Sequence, residues 1–247
     1  PARGYIVVFA SGKNRTSGNA PLHTDFRLRK EGGYLALLNA NSGVASEFSP
    51  SYPPQHEDVS FGKGNTKRDQ VVLLKQKAAA RATVPVNSSD DAVWKKIDFD
   101  DSGWKSGKTG VGYDYGNRIG LDVAQMRNNN ETVYIRIPFN VADVSIIDEL
   151  VLRLQYEDGF AAFINGKKIA SDNTPATLSW NSGAPQNRPD SIATSPIEFP
   201  IPNPRNVLVK GRNVLAIHGL NNKVTSSDLL IVPELIGYKK TEVIESY

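Results

Sequence analysis

Apolar and polar residues alternate with a period of two in the second half of the chain. In residues 133–141 every odd position is apolar, and this pattern predicts a strand with one buried face. Pro138 lies on the opposite face and removes a backbone hydrogen-bond donor, so we expect a sheet edge or a bulge near it. The same alternation recurs at Leu150, Leu152, Leu154 and Tyr156.

Further strands follow from turn chemistry and from apolar runs. Residues 160–164 and 167–170 flank Asn165-Gly166, a pair that supplies the two positive-φ residues of a tight hairpin turn. Residues 213–219 and 229–236 are further strand candidates. The second run is apolar on both faces, which predicts a central strand.

The first part of the chain has shorter strand-like runs separated by glycine and asparagine turns. They cover residues 5–10, 26–28, 34–39 and 44–48. Four short strands cannot close a sandwich, so this part would be marginally stable alone. We expect it to expose unpaired strand edges, which a complementary fragment, the rest of the chain or a second copy would cover.

Residues 64–85 are charged and rich in alanine, and they fit either a short helix or an extended connector. Long helical periodicity is absent elsewhere, and only residues 121–127 fit a helical turn or two. The sequence therefore predicts an all-β protein built from packed sheets.

Composition excludes several classes of function. With 39% apolar and 22% charged residues the chain is globular in composition. Lys and Arg number 29 against 26 Asp and Glu, a small and scattered excess that argues against a nucleic-acid binder. There is no cysteine, which excludes thiolate catalysis and cysteine-based zinc sites. No apolar run reaches the roughly 18 residues of a membrane span.

Two groups of motifs carry a family resemblance. Residues 1–63 contain GYIVVFASGKNR, LHTDFRL, GGYLALLN and EFSPSYPPQHEDVSFG, and they resemble the C-terminal half of a bacterial lamin-tail domain, an immunoglobulin-like β-sandwich. After the connector at 64–85, residues 86–240 contain FDDSGWKSGKTGVGYD, NETVYIRIPF, YEDGFAAFINGKKIA and GRNVLAIHGLNNKVTSSDLLIVPEL. These resemble a galactose-binding-like jelly roll.

This resemblance implies a place in large secreted proteins of Planctomycetes and Verrucomicrobia, often beside CotH kinase-like domains. The abrupt start at Pro1 leads us to expect a fragment of such a polypeptide. The implied function is a non-catalytic module for carbohydrate binding or surface attachment, located outside the cell or on its surface. Its expected partners are a polysaccharide or cell-surface glycan and the neighbouring domains. A purely structural spacer is the alternative.

The residues offer little for catalysis, and we predict that the chain is not an enzyme. No Gly-x-Ser-x-Gly nucleophile elbow is present. Glu157 and Asp158 are adjacent, so on a strand they would point to opposite faces and would not act on one glycosidic bond. Asp158 is interpreted as a turn carboxylate that accepts backbone N–H groups. A remaining alternative is a β-sandwich lyase or hydrolase that uses His218, Tyr113 or Tyr115.

Sugar binding usually combines an aromatic face with a few polar groups. Trp180 lies in a polar loop with Asn181 and Arg188, and Tyr113 and Tyr115 form a second aromatic loop. These residues, together with His218, are the candidate ligand contacts. Two of them have alternative roles. Trp180 fits a core residue equally well, and His218 shares a strand face with Val214 and Ala216, which favours a structural histidine.

A calcium site is a further candidate. The segment from Asp98 to Gly103 does not continue as an EF-hand, because Thr109 stands where the loop needs glutamate. The resemblance to galactose-binding-like sandwiches nevertheless implies a structural calcium, for which Asp100, Asp101 and Glu234 would supply oxygen ligands. The alternative is that the two aspartates cap a turn and that Glu234 pairs with a lysine. No other cofactor is expected.

Overall fold

The computed structural model describes residues 6–17, 20–57 and 61–246. The chain divides into an N-terminal unit, Pro1–Asn65 with Glu242–Tyr247, and a sandwich unit, Thr66–Thr241. As predicted, the fold is all-β. The strands are β1 (Val8–Phe9), β2 (Leu22–His23), β3 (Gly33–Leu38), β4 (Val44–Tyr52), β5 (Phe61–Leu74), β6 (Ala79–Thr83), β7 (Lys105–Lys108), β8 (Val111–Tyr113), β9 (Leu121–Asp122), β10 (Thr132–Val141), β11 (Glu149–Glu157), β12 (Gly159–Ile164), β13 (Lys167–Asp172), β14 (Ile197–Ile201), β15 (Gly211–Leu220) and β16 (Leu229–Ser246).

Helical structure is short throughout the described ranges. The α-helix α1 spans Asp190–Ala193, and 3-10 turns occur at Gly116–Arg118, Ala124–Met126 and Pro204–Asn206. The turn at Ala124–Met126 lies within the segment for which the sequence predicted a helical turn. None of these helices is long and apolar enough to cross a bilayer.

The described residues of the N-terminal unit include two separate strand pairs. β1 and β2 are parallel, and β3 and β4 form an antiparallel hairpin. Among residues of this unit whose side chains the structure describes, only Tyr52 is buried; its hydroxyl accepts a hydrogen bond from the Arg29 N–H at 2.8 Å. The small core agrees with the expectation of marginal stability.

The sandwich unit contains two facing sheets. Sheet I has the strand order β13-β12-β15-β10-β6-β7, and sheet II has the order β14-β11-β16-β8-β9, with β5 also paired to β16. Inward-facing side chains of both sheets form one apolar core, which includes Ile135, Ile217, Leu152 and Ile231. The alternation recognised in the sequence is therefore the alternation between this core and the outer faces of the sheets.

Several local predictions are confirmed. Asn165 and Gly166 have positive φ angles of 51° and 85° and join β12 to β13. β16 lies between β11 and β8 in sheet II, as expected for its apolar run. β6 pairs with β10 only at residues 134–136, so Pro138 lies in a part of β10 that has no β6 residue as its hydrogen-bonding partner.

Residues 64–85, whose sequence fits either a short helix or an extended connector, adopt an extended conformation. They contribute most of β5 and all of β6, and Leu74, Ala80 and Ala82 are buried in the core. Most of the segment predicted to be a connector is therefore part of the sandwich unit, which begins at Thr66.

The outer face of sheet I is covered by the segment between β6 and β7. Trp94 from this segment stacks on Tyr134 with ring centroids 4.1 Å apart, and Trp104 packs against the same cluster. Both tryptophans therefore belong to the aromatic cluster on this face. The fully buried Arg136 fixes the segment: its guanidinium donates to the carbonyls of Trp94 and Lys96 and to the Asp101 carboxylate.

Candidate functional site

Three carboxylates from distant parts of the chain meet at one end of the sandwich unit. Glu157 ends β11, Asp190 begins α1 and Asp228 precedes β16. One oxygen of each lies within 4.8 Å of the others. We call these three residues the acidic cluster. In the part of the chain that the structure describes, none of the three forms an ion pair with lysine or arginine.

Glu157 is the most deeply buried member of the acidic cluster, with 2% of its surface exposed against 8% for Asp228. The pKa of its carboxyl is raised to about 8, mainly by burial and also by the nearby Asp228 and Asp158, although the hydrogen bond that the Tyr115 hydroxyl donates to it acts in the opposite direction. Burial also raises the pKa of Asp228. Glu157 is therefore protonated at neutral pH.

The Asp158 carboxylate binds different groups from those that the Glu157 carboxylate binds. Its two carboxylate oxygens accept the backbone N–H groups of Arg188 at 2.7 Å and Asn222 at 2.9 Å. Burial nevertheless raises its pKa. The prediction of a carboxylate that binds backbone N–H groups is confirmed, and the two neighbouring acids do not face one common point.

A groove with a volume of about 590 Å³ lies next to the acidic cluster. We call it the polar groove. It is lined by residues 171–174, at the end of β13, and by residues 185–189, which lead directly into Asp190. The side chains of Asp172, Gln186 and Asn187 are exposed there.

Hydrogen bonds hold the two walls of the polar groove together. The Asn173 amide donates to the carbonyl of Gln186 and accepts from its N–H at 3.2 Å. Gly159 permits a close approach of the chain, because a Cβ there would meet the Asn173 carbonyl at 2.4 Å. The buried Arg188 guanidinium lies 4.1 Å from the centre of the Tyr156 ring and donates to the Tyr156 carbonyl. The groove is thus a preformed feature.

Arg188, Tyr113 and Tyr115 are the predicted ligand residues that lie at this end of the unit. Arg188 lines the polar groove. Tyr115 donates to Glu157, whereas Tyr113 is buried, donates to the Ser226 carbonyl and accepts from the Asn221 amide. Burial raises the pKa of both tyrosine hydroxyls, so neither is suited to act as a base.

Trp180 and Asn181 do not line the polar groove. The Trp180 side chain packs against the aromatic cluster on the outer face of sheet I, and the backbone N–H of Trp180 donates to the Asp91 carboxylate at 3.1 Å. Of the two roles that the sequence left open, this geometry agrees with the core role. The exposed Asn181 amide accepts a hydrogen bond from the Ser179 hydroxyl.

His218 is a structural residue on the outer face of sheet I. Its ring makes a T-shaped contact with Tyr134, and its Nε2 atom lies 2.9 Å from the Thr132 hydroxyl. Burial lowers its pKa to about 3, so the ring is neutral at physiological pH. Placing it among the ligand contacts is therefore a prediction that the geometry does not support.

The predicted calcium ligands are not brought together. Asp100 accepts the Ser102 N–H at 2.9 Å, as in the turn-cap alternative. Asp101 binds the Arg136 guanidinium at 2.7 Å, and Glu234 lies in sheet II near Arg153. Among the described residues only Glu157, Asp190 and Asp228 have the clustering that a metal would need. Calcium prefers six to eight oxygen ligands, whereas these three carboxylates supply three if each contributes one oxygen.

Sequence reasoning missed Asp172, Asn173, Asp190 and Asp228 as members of one region. No local motif could have joined them, because they lie in separate segments, at or after the end of β13 and just before β16. The one usable signal was the run Gln186-Asn187-Arg188, which places three polar side chains side by side in a loop.

No protein-family model and no curated protein matches the chain. Solved structures with partial similarity include a Bacteroides uniformis beta-glucuronidase, with 15% identity, a TM-score of 0.43, and coverage of 69% of this chain and 18% of that chain. An uncultured Clostridium sp. beta-glucuronidase has 13% identity and a TM-score of 0.42, covering 71% and 30%. A Faecalibacterium prausnitzii beta-glucuronidase has 16% identity and a TM-score of 0.39, covering 70% and 22%.

This chain thus spans less than a third of the length of each of these three structures. At such identities and TM-scores, nothing about activity or substrate follows for this chain.

Proposed function

We propose that the chain is a non-catalytic carbohydrate-binding module of a larger extracellular or cell-surface protein, and that the polar groove is its binding site. The observation that carries the proposal is the groove itself: about 590 Å³ of open space between two loops, lined by amide and carboxylate side chains. A groove of this size holds a short oligosaccharide segment.

The chemistry of the groove suits sugar hydroxyls. Gln186 and Asn187 are exposed, and within the described ranges their side chains make no hydrogen bond to the protein. A carboxamide offers both donors and acceptors, so it matches a hydroxyl group, which also does both. Asp172 lies in the opposite wall, where its carboxylate accepts hydrogen bonds from the Tyr156 hydroxyl and, at 2.9 Å, from the Asn173 N–H; the remaining lone pairs of its two oxygens can accept a further hydrogen bond.

The non-catalytic part of the proposal is supported by the state of the ionisable groups. Glycoside hydrolysis needs two carboxyl groups that flank one bond. Here Glu157 is buried and bound by Tyr115, while Asp158 is committed to two backbone N–H groups. His218 is buried on the outer face of the other sheet.

The test is the double substitution Gln186→Ala with Asn187→Ala, measured by calorimetry against a panel of oligosaccharides. Loss of two hydrogen-bonding side chains should weaken binding about 10-fold. Asn181→Ala, in the same loop but outside the groove, is the matched control and should leave the affinity unchanged. Binding that ignores the double substitution, or that depends on Asn181, contradicts the assignment of the groove.

A second candidate, an interaction module, is favoured by the N-terminal unit. Its hairpin exposes Leu38 (54%) and Val44 (53%), which pair across β3 and β4 and therefore share one face of the hairpin. Two neighbouring apolar side chains with this exposure are unusual on a protein surface. Such a face fits an apolar protein surface, either a neighbouring domain of the parent polypeptide or a complementary fragment. The assignment of this unit as half of a lamin-tail domain is part of the same proposal.

If this face binds protein, the chain should self-associate at high concentration through it. We expect Leu38→Lys with Val44→Lys to abolish the concentration dependence in sedimentation velocity. Val86→Lys, at an exposed apolar residue of the sandwich unit, is the control and should not. A wild-type chain that stays monomeric at every concentration would remove the support for this candidate.

A further inference from the structure

The polar groove lies in a region of unbalanced negative charge. Asp172 stands in its wall, and Asp190 directly follows its last lining residue, Pro189. Both carboxylates are exposed to solvent. Neither forms an ion pair with a lysine or arginine in the residues that the structure describes.

Further carboxylates lie behind the groove. Asp158 accepts the N–H of the lining residue Arg188, and Asp228 and Glu157 adjoin Asp190 in the acidic cluster. Glu157 is neutral at physiological pH, so it adds no charge there. The carboxylates of Asp158, Asp172, Asp190 and Asp228 contribute negative charge to the same small region.

The cation that lines the groove does not present its charge to a ligand. The Arg188 guanidinium is buried, lies over the Tyr156 ring, and donates to the carbonyls of Tyr156 and Ile192. A concave surface lined by one sign of charge attracts ligands of the opposite sign and repels those of the same sign. Exposed carboxylates in and beside the groove would therefore favour a cationic sugar over a neutral or anionic one, while the exposed amides would contact hydroxyls.

We propose that the polar groove selects cationic oligosaccharides, in which the sugar units carry a free amine, over neutral and uronic-acid oligosaccharides. This inference rests on the proposed function and specifies its ligand class. The ammonium groups would donate to the Asp172 and Asp190 carboxylates, and the hydroxyls would bond to Gln186 and Asn187. A uronic acid would bring a carboxylate next to Asp172 and Asp190.

The test compares three tetrasaccharides by calorimetry at low salt and about pH 6, where a sugar amine is protonated: a β-1,4-glucosamine tetramer, its fully N-acetylated counterpart, and a galacturonic acid tetramer. The glucosamine tetramer should bind about 10-fold more tightly than the neutral one, as expected for charges a few ångströms apart near a protein surface. Added salt should shrink this ratio. The galacturonic acid tetramer should bind most weakly.

Variants then assign the selectivity to the groove. Asp190→Asn should weaken binding of the glucosamine tetramer about 3-fold and leave binding of the N-acetylated tetramer unchanged. Asp98→Asn makes the same charge change at another exposed carboxylate, in the segment that covers the outer face of sheet I. It should alter neither affinity.

The outcomes separate this inference from the proposed function. Equal affinity for the glucosamine and N-acetylated tetramers, both reduced by the Gln186 and Asn187 substitutions, overturns the charge selectivity but keeps a carbohydrate-binding groove. A loss of affinity in Asp98→Asn equal to that in Asp190→Asn shows attraction to overall charge and also overturns it. If no tetramer binds, the proposed function itself fails.

Discussion

Replacing Arg136 with methionine should lower the free energy of unfolding of the sandwich unit by about 3–5 kcal/mol, because breaking a buried ion pair leaves its other partners unsatisfied. Arg136 is fully buried and binds Asp101 together with the carbonyls of Trp94, Lys96 and Phe99. Thermal unfolding should show a decrease of about 10 °C for a unit of this size.

The control for Arg136 is Arg153→Met in sheet II. Arg153 is 41% exposed and pairs with Glu198 at 3.5 Å, and exposed pairs contribute about 1 kcal/mol or less. Limited proteolysis adds a local measurement: in the Arg136 variant, cleavage should begin in the segment between β6 and β7. Equal stability of the two variants would contradict the role assigned to Arg136.

Replacing Glu157 with glutamine should stabilise the chain at alkaline pH. The folded-state pKa of Glu157, about 8, lies above its ordinary value of 4.5, so the folded state binds a proton that the unfolded state releases between these values. Stability is therefore highest at acidic pH and falls as pH rises from about 4.5 to 8. Glutamine is neutral throughout and still accepts the hydrogen bond of Tyr115.

Chemical denaturation measured from pH 5 to pH 8 tests this. The wild-type free energy of unfolding should fall with pH, and Glu157→Gln should flatten the decline and gain about 2 kcal/mol at pH 8. Some slope should persist, because the pKa values of Asp158 and Asp228 are raised too. Glu198→Gln, at an exposed carboxylate of the same unit, should not change the slope. A pH-independent wild-type stability would refute the burial of an uncompensated acid at Glu157.

Much of the sandwich could be predicted because its signals are local. Period-two alternation in β10 and the Asn165-Gly166 turn each determine the conformation of a few adjacent residues. The role of Asp158 followed equally from its position beside a strand end. The segment containing β5 and β6 was ambiguous, since its charged, alanine-rich composition fits a helix by propensity and its extended form depends on pairing with distant strands.

The candidate site was harder to predict because it depends on the arrangement of strand ends. Glu157 and Asp228 meet because β11 and β16 are neighbours in sheet II, and Asp190 joins them from the start of α1. For Trp180 the sequence signal pointed the wrong way. The polar loop around it suggested an exposed side chain, whereas the side chain packs against the aromatic cluster of sheet I. Composition of a loop does not reveal which of its side chains turn inward.

The most direct test of the central claim, that the polar groove binds carbohydrate, is a backbone-amide NMR titration with the glucosamine tetramer. We expect saturable chemical-shift changes concentrated at the backbone amides of Asn173, Thr174 and residues 186–190, with the loop around Trp180 and the N-terminal unit unaffected. Shift changes centred on Trp180 or on the hairpin of β3 and β4, or no saturable change at any amide, would contradict it.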